Sequence, residues 1–312
     1  MKSLEKTKTK NISGGFVSEM QKNWQIYLMS LPGLLLLLIF CYIPMFGVLV
    51  AFQKYYPALG IFGSKWIGFD NFIKFFKSPY LERVMKNTLG ISVYSIVAGF
   101  PAPIILALLL NELRCTAYKR LVQTVTYIPH FISIVVIAGI IIDFAKIGGV
   151  LNDVLALFGI ERTNLLMRPE LFKTIYVFSD IWQGIGWGSI VYLAALTAID
   201  SSLYEAAMLD GAGRFKQAIH VTIPGILPTI VTLLIIRLGS IMSVGFEKII
   251  LLYNASTYET AETISTYVYQ KGLVDMDFGY STAVGLFNSV INLVLLIITN
   301  KISVKYTEVG LW

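Results

Sequence analysis

The sequence predicts an all-α membrane protein with six transmembrane helices, on three observations. Of its 312 residues, 56% are hydrophobic and only 14% are charged. Mean hydropathy is +0.70. The charges fall almost entirely in connectors between six long apolar stretches. A soluble domain carries about 25% charged residues, so this chain cannot keep an ordinary solvated surface. Strands are excluded as spanning elements, because the stretches are longer and more uniformly apolar than the alternating, roughly ten-residue segments of a membrane barrel. Helices also satisfy their own backbone groups, which lipid requires.

A bilayer core about 30 Å thick takes roughly 20 residues of helix, and each stretch reaches that length. Asn23 to Gln53 holds no charged residue, and Pro44 is expected to kink it. Asn87 to Asn111 is likewise uncharged and contains Pro101 and Pro103. Leu121 to Ile142 is the third stretch. Thr174 to Ile199 is interrupted only by Asp180, and Ile223 to Phe246 only by Arg237. Phe278 to Asn300 completes the set without a charge. The chain reads as a short N-terminal tail (1–22), one membrane domain (23–300) with a cytosolic loop at 200–224, and a C-terminal tail (301–312).

Orientation follows from the basic residues. With both termini inside, inner and outer segments carry twelve Lys and Arg each. The inner segments are shorter and so more densely basic, which favours termini in the cytoplasm. The first outer loop opposes this, with six Lys and Arg between Lys54 and Lys86. Phe72, Phe75 and Phe76 beside Lys74 and Lys77 predict an amphipathic helix there, lying at the lipid interface. The net charge of +6 fits loops at an anionic lipid surface rather than nucleic acid, since no basic stripe interleaves with exposed aromatics. Lys2, Lys6, Lys8 and Lys10 make a basic start, but the following apolar run is too long for a cleavable signal.

Cys41 and Cys115 imply no disulfide framework. His130 and His220 are far apart and lack the company of a metal site, so a structural role is expected of both. No glycine-rich phosphate loop or nucleophile–base set appears, so the chain is expected to be no enzyme and to bind no cofactor itself.

The connector after the fourth stretch is the most informative. Ser202 with Glu205 three residues on forms a capping-box pattern that predicts a short helix from Leu203. Gly211 and Gly213 should end it, a second short helix should span Arg214 to His220, and Pro224 should start the fifth span. Glu205-Ala206-Ala207, then Asp210-Gly211-Ala212, Val221-Thr222-Ile223-Pro224 and Pro228 resemble the EAA loop of binding-protein-dependent ABC importer permeases. Val221 and Ile223 depart mildly from that family's usual Ile and Leu. The resemblance continues in Ile67-Gly68-Phe69-Asp70-Asn71-Phe72 before the second span, Trp182-Gln183-Gly184-Ile185-Gly186-Trp187-Gly188 in the fourth, Gly245-Phe246-Glu247-Lys248, the stretch Tyr253 to Tyr269, and Gly310-Leu311-Trp312. These resemble the subgroup that imports oligosaccharides and polysaccharide fragments.

The resemblance implies a type I importer permease fold, with Glu205, Ala206, Ala207, Asp210, Gly211 and Pro224 at the contact with an ATPase. It also implies the partners: an ATPase dimer using ATP and Mg, a second permease, commonly of a different sequence with a homodimer as the alternative, an extracytoplasmic substrate-binding protein, and an oligosaccharide substrate, of which an acidic one would suit Arg237.

Several residues allow two readings. Arg237 either lines the pathway, contacting sugar hydroxyls or carboxylates, or pairs structurally with Asp180 or Asp143. Asp180, Trp182, Gln183, Trp187, Asn288 and Asn292 offer the aromatic faces and planar polar groups that bind sugars, and equally the packing and anchoring groups of membrane helices. Gly184 and Gly188 form a small-xxx-small step for close helix packing. Tyr253, Tyr258, Tyr267 and Tyr269 either receive the binding protein or form an interfacial belt. Two rival functions remain. One is an ion-gradient-driven secondary transporter, which usually shows inverted repeats absent here; the other is a non-transporting scaffold or sensor.

Overall fold

The computed structural model describes residues 22–312, so the expected N-terminal tail, except Lys22, lies outside the described residues. The chain divides into two compact units between Leu49 and Val50. The first is α1 (Trp24–Phe52) as far as Leu49. No residue of Trp24–Leu37 is buried. A helix this apolar and this uncovered is built for a non-aqueous surrounding. Pro44 does not break α1; a π-helical turn, Leu38–Tyr42, precedes it, and the Ile43 N–H donates to the Leu38 carbonyl.

The second unit opens with a two-residue antiparallel pair, β1 (Gln53–Lys54) and β2 (Lys65–Trp66). Eleven α-helices of six or more residues follow among the described residues. They are α2 (Asp70–Phe76), α3 (Tyr80–Glu112), α4 (Thr116–Tyr127), α5 (Ile134–Ala145), α6 (Val150–Leu157) and α7 (Pro169–Thr197). After these come α8 (Ser201–Leu209), α9 (Arg214–Gly239), α10 (Phe246–Leu252), α11 (Ile264–Tyr269) and α12 (Phe278–Thr307). Five segments are long and apolar enough to cross a membrane: α1, α3, α5 with α6, α9 and α12. Helix α7 qualifies only when counted with α8, from which it bends by 73°.

Three details differ from the sequence expectation. The third stretch is not one helix over Leu121–Ile142: a 3-10 turn at Ile128–Phe131 splits it, and Ser133 caps α5 by accepting a bond from Val136 N–H. Pro129, without an N–H and with a fixed φ, stops α4 there, and the membrane-length segment shifts downstream to Ile134–Leu157. Pro224 does not begin the fifth span; α9 runs unbroken from Arg214 through a π turn at Ala218–Thr222. At its other end α9 stops at Gly239, well short of Phe246, so Arg237 lies in its last turn rather than near its middle.

Three of the prolines share one solution. π turns at Leu38–Tyr42, Ser95–Gly99 and Ala218–Thr222 each precede a proline, at Pro44, Pro101 and Pro224. A proline ring crowds the carbonyl four residues back and offers no donor. Widening the preceding turn moves that carbonyl aside and keeps the helix continuous.

Helix α7 packs against α3, α4 and α9, and α9 packs on α12. One buried cluster joins α3, α5, α7 and α10 through Ile91, Ile141, Phe172, Tyr176, Val177 and Ile249. A second gathers Phe75, Val84, Met242, Ile264, Tyr267 and Tyr280. Phe75 of the expected interfacial helix is therefore buried in protein, while Phe76 beside it stays exposed. Gly186 of α7 faces the Thr126 carbonyl of α4 so closely that any Cβ would overlap it. Gly188 meets Pro103, whereas Gly184 has open space beside it. The close step is thus Gly186 and Gly188, not Gly184 and Gly188.

Candidate functional site

Two regions carry functional chemistry. The first is the α8–α9 corner. Asp200, rather than Ser202, caps α8: the Ser202 N–H donates to Asp200 Oδ1 at 2.9 Å. The helix therefore begins two residues before Leu203, because a carboxylate already stands at the chain's turn out of α7. Gly211 ends α8 at φ +74. Gly211 N–H reaches the Met208 carbonyl at 3.0 Å, and Ala212 N–H reaches the Ala207 carbonyl at 2.9 Å, the paired bonds of a Schellman cap. Gly213, at φ −70, needs no left-handed backbone. The Tyr204 hydroxyl meets Thr222 Oγ1 at 3.1 Å and pins α8 to α9.

No residue of α8 is buried. Leu203, Met208 and Leu209 stand exposed, joined by Phe215 from the first turn of α9. Glu205, Ala206 and Asp210 are exposed beside them, Ala207 is half-buried, and Pro224 is exposed on α9. The structure thus brings the sequence-singled residues together on one uncovered corner, and exposed apolar groups among charged ones are the composition of a docking face.

The second region is polar and lies among α3, α7 and the end of α9. Two adjoining cavities, of about 200 and 270 Å³, share Ser95, Asp180 and Arg237. Their walls also include Ser92 and Gly99 from α3, Tyr176 and Gly184 from α7, and Ser240, Ser243 and Gly245 from the break after α9. Tyr176, Asp180 and Gly184 fall on one face of α7 at four-residue spacing. Arg237 sits where the carbonyl end of α9 favours a cation.

Arg237 pairs with neither candidate acid. Asp143 binds Lys146 at 2.8 Å, and Asp180 faces Lys248 at 3.7 Å. Lys248, from α10, is 3% exposed, and its Nζ lies 5.4 Å from the Tyr176 ring centre. Burial draws its ammonium below the ordinary lysine pKa, and the Asp180 carboxylate opposes that. Lys248 was quoted in the sequence only as part of a motif. Lying outside the apolar stretches, it gave no sign of being buried.

The other candidates separate. Trp182 points away from Asp180 into an apolar groove with Ile140, Ile141, Phe144 and Phe178. Trp187 stacks on His130 at 4.6 Å and 3°. Asn292 is used by the fold: its Oδ1 accepts from Met242 N–H at 3.0 Å and its Nδ2 donates to Ser243 Oγ at 2.9 Å. Asn288 leaves a buried Oδ1 without a hydrogen bond, and Gln183 is half-buried beside neither cavity. On the α10–α11 side, Tyr267 is buried with its hydroxyl 3.0 Å from that of Tyr280, and Tyr269 packs on Phe246. Tyr258, stacked edge-on against Tyr253 at 4.8 Å, is exposed.

Known proteins resemble this chain over most of its length. The chain is 45% identical over 92% of its length, and 90% of the relative's, to a polygalacturonan/rhamnogalacturonan transport system permease protein, YteP, of Bacillus subtilis strain 168. It is 42% identical to protein LplB of the same organism, covering 95% of this chain and 94% of LplB. Among solved structures it resembles a chain of a bacterial ABC transporter involved in import of the acidic polysaccharide alginate, with TM-score 0.86, 45% identity, and coverage of 93% and 99%. A second structure of a bacterial alginate ABC transporter, in complex with an alginate pentasaccharide-bound periplasmic protein, matches with TM-score 0.87 and 44% identity over 95% and 99%. Residues 99–306, which hold Asp180, Arg237 and the α8–α9 corner, match the family of binding-protein-dependent transport system inner membrane components, and the chain belongs to that family.

Proposed function

We propose that this chain is one permease subunit of an ATP-driven importer for acidic oligosaccharides in a bacterial cytoplasmic membrane, with both termini in the cytoplasm. The observation that carries the substrate assignment is the polar cavity. Its lining holds one acid and one base, Asp180 and Arg237, with serine hydroxyls around them. Asp180 is engaged by Lys248, and Arg237 has no carboxylate within ion-pair distance among the described residues. A free guanidinium in a polar cavity binds a carboxylate by paired, charge-assisted hydrogen bonds, and serines bind sugar hydroxyls. The names of YteP and of the alginate importers support the same substrate class.

The remaining parts follow from the family. The exposed α8 face, with Glu205 and Gly211, docks on an ATPase dimer that uses ATP and Mg. A second permease of different sequence supplies the other half of the pathway, and an extracytoplasmic protein delivers substrate on the Tyr258 side. The residues 23–300 form the membrane domain, and the tails flank it in the cytosol.

The test is direct binding to the complete importer, purified in detergent without its binding protein. Equilibrium dialysis against a labelled trigalacturonate and its methyl ester should show preference for the acid. Arg237→Gln should cost roughly tenfold or more in affinity for the acid and leave the ester unchanged. Equal affinities of the unaltered importer for acid and ester would discard the acidic reading.

A further inference from the structure

Lys248 is a charge near the cavity that the cavity does not use. It is absent from the lining, buried to 3% exposure, and its Nζ has no hydrogen-bond partner. Its neighbours on α10, Ile249 and Leu252, lie in the buried cluster with Tyr176 and Val177, which holds the side chain in protein. The acid it meets is Asp180, 3.7 Å away, whose own side chain is 45% exposed and faces the cavity shared with Arg237.

A buried ammonium without hydrogen bonds is costly unless a counter-charge offsets it. Its position has a chemical consequence. Without Lys248, Asp180 and Arg237 would be the two charges of one cavity and would neutralise each other. With Lys248 behind the wall, Asp180 is held by a cation that substrate cannot reach.

We propose that Lys248 is a specificity-determining residue: it neutralises Asp180 from outside the cavity and so leaves Arg237 free for a sugar carboxylate. This rests on the acidic-oligosaccharide reading above. Lys248 touches no substrate; it acts through Asp180.

The experiment uses the same dialysis of the complete importer against trigalacturonate and its methyl ester. Lys248→Met should lower the preference for the acid by about tenfold, because Asp180 then turns to Arg237. The double variant Asp180→Asn with Lys248→Met removes both charges and should restore the preference to within about threefold of the original. A merely structural lysine predicts a double variant no better than Lys248→Met, and that result overturns the proposal. If Lys248→Met does not assemble, Asp180→Asn alone decides. Preference kept or raised supports the proposal, and preference lost overturns it. Loss of preference in Arg237→Gln without rescue in the double variant rejects the role of Lys248 alone. Preference retained in Arg237→Gln rejects Arg237 as the carboxylate's partner, and the proposal with it, whereas equal affinities of the unaltered importer for acid and ester reject the acidic reading itself.

Discussion

At the residue scale, single side chains in this chain act through space as much as through chemistry. Gly186 lets α4 approach α7 until a backbone carbonyl fills the place of a side chain. Gly186→Ala should therefore destabilise the protein by about 1–3 kcal/mol, because backbone rather than a flexible side chain must give way. Gly184→Ala, two residues earlier with open space beside it, should stay within about 0.5 kcal/mol. Thermal melts of the detergent-purified importer compare them, and equal losses would remove the close-approach argument. The sequence offered a pair of glycines four apart, but which glycine meets a neighbour depends on the rotation of α7, and apolar composition leaves that rotation open. Arg237 was legible as an exception inside an apolar stretch, while its partners were not. Choosing among Asp143, Asp180 and none required knowing where α9 ends. Lys248 was less visible still, since a lysine in a connector usually marks a solvated loop and here α10 carries it into the core.

At the element scale, the spacing of the EAA-type motif placed a helix, a glycine stop and a second helix in the right order. The local caps were misjudged by two residues, because Asp200 reaches the Ser202 N–H before Ser202 can act. Prolines were read as starts and kinks; in the structure each of three is preceded by a π turn that keeps the helix whole. Periodicity cannot show this, because a single widened turn alters neither length nor composition. The consequence at the α8–α9 corner is a continuous rod. Helix α9 runs from Arg214 to Arg237 without an intervening loop. Gly211→Asp should abolish ATP-driven uptake in proteoliposomes while leaving the amount of chain in the membrane unchanged. The added acid sits on the exposed face, where no Cβ neighbour opposes it, and it must hold φ +74. Uptake at the normal rate in that variant would end the assignment of α8 as the coupling element.

At the scale of the whole molecule, apolar side chains dominate the exposed surface. Along α1 from Trp24 to Leu37 there is no buried residue at all, and the α8 face is equally uncovered. The helical class and the presence of five to six membrane-length segments were legible because hydrophobic length is a property of composition. The partners were legible only through resemblance, since an uncovered apolar face names no occupant by itself. Purification from native membranes in mild detergent should bring down an ATPase and a second, different permease in stoichiometric amounts, identified by mass spectrometry. A chain recovered alone, under conditions that preserve other complexes, would count against the importer.

Helix α7 has a consequence for how the protein is made. It supplies Asp180 and one wall of the cavity, and it does not by itself reach the hydropathy of a spanning helix. During synthesis, the Asp180 carboxylate raises the cost of moving this segment from the translocon into lipid. Its entry depends on helices that arrive earlier, and α3 and α4, against which it packs, are already in place when it emerges. Substitutions on the faces of α3 and α4 that receive α7 thus act during biogenesis. Such variants should lower the amount of chain in the membrane, measured after a pulse label, before the finished fold has any stability to lose.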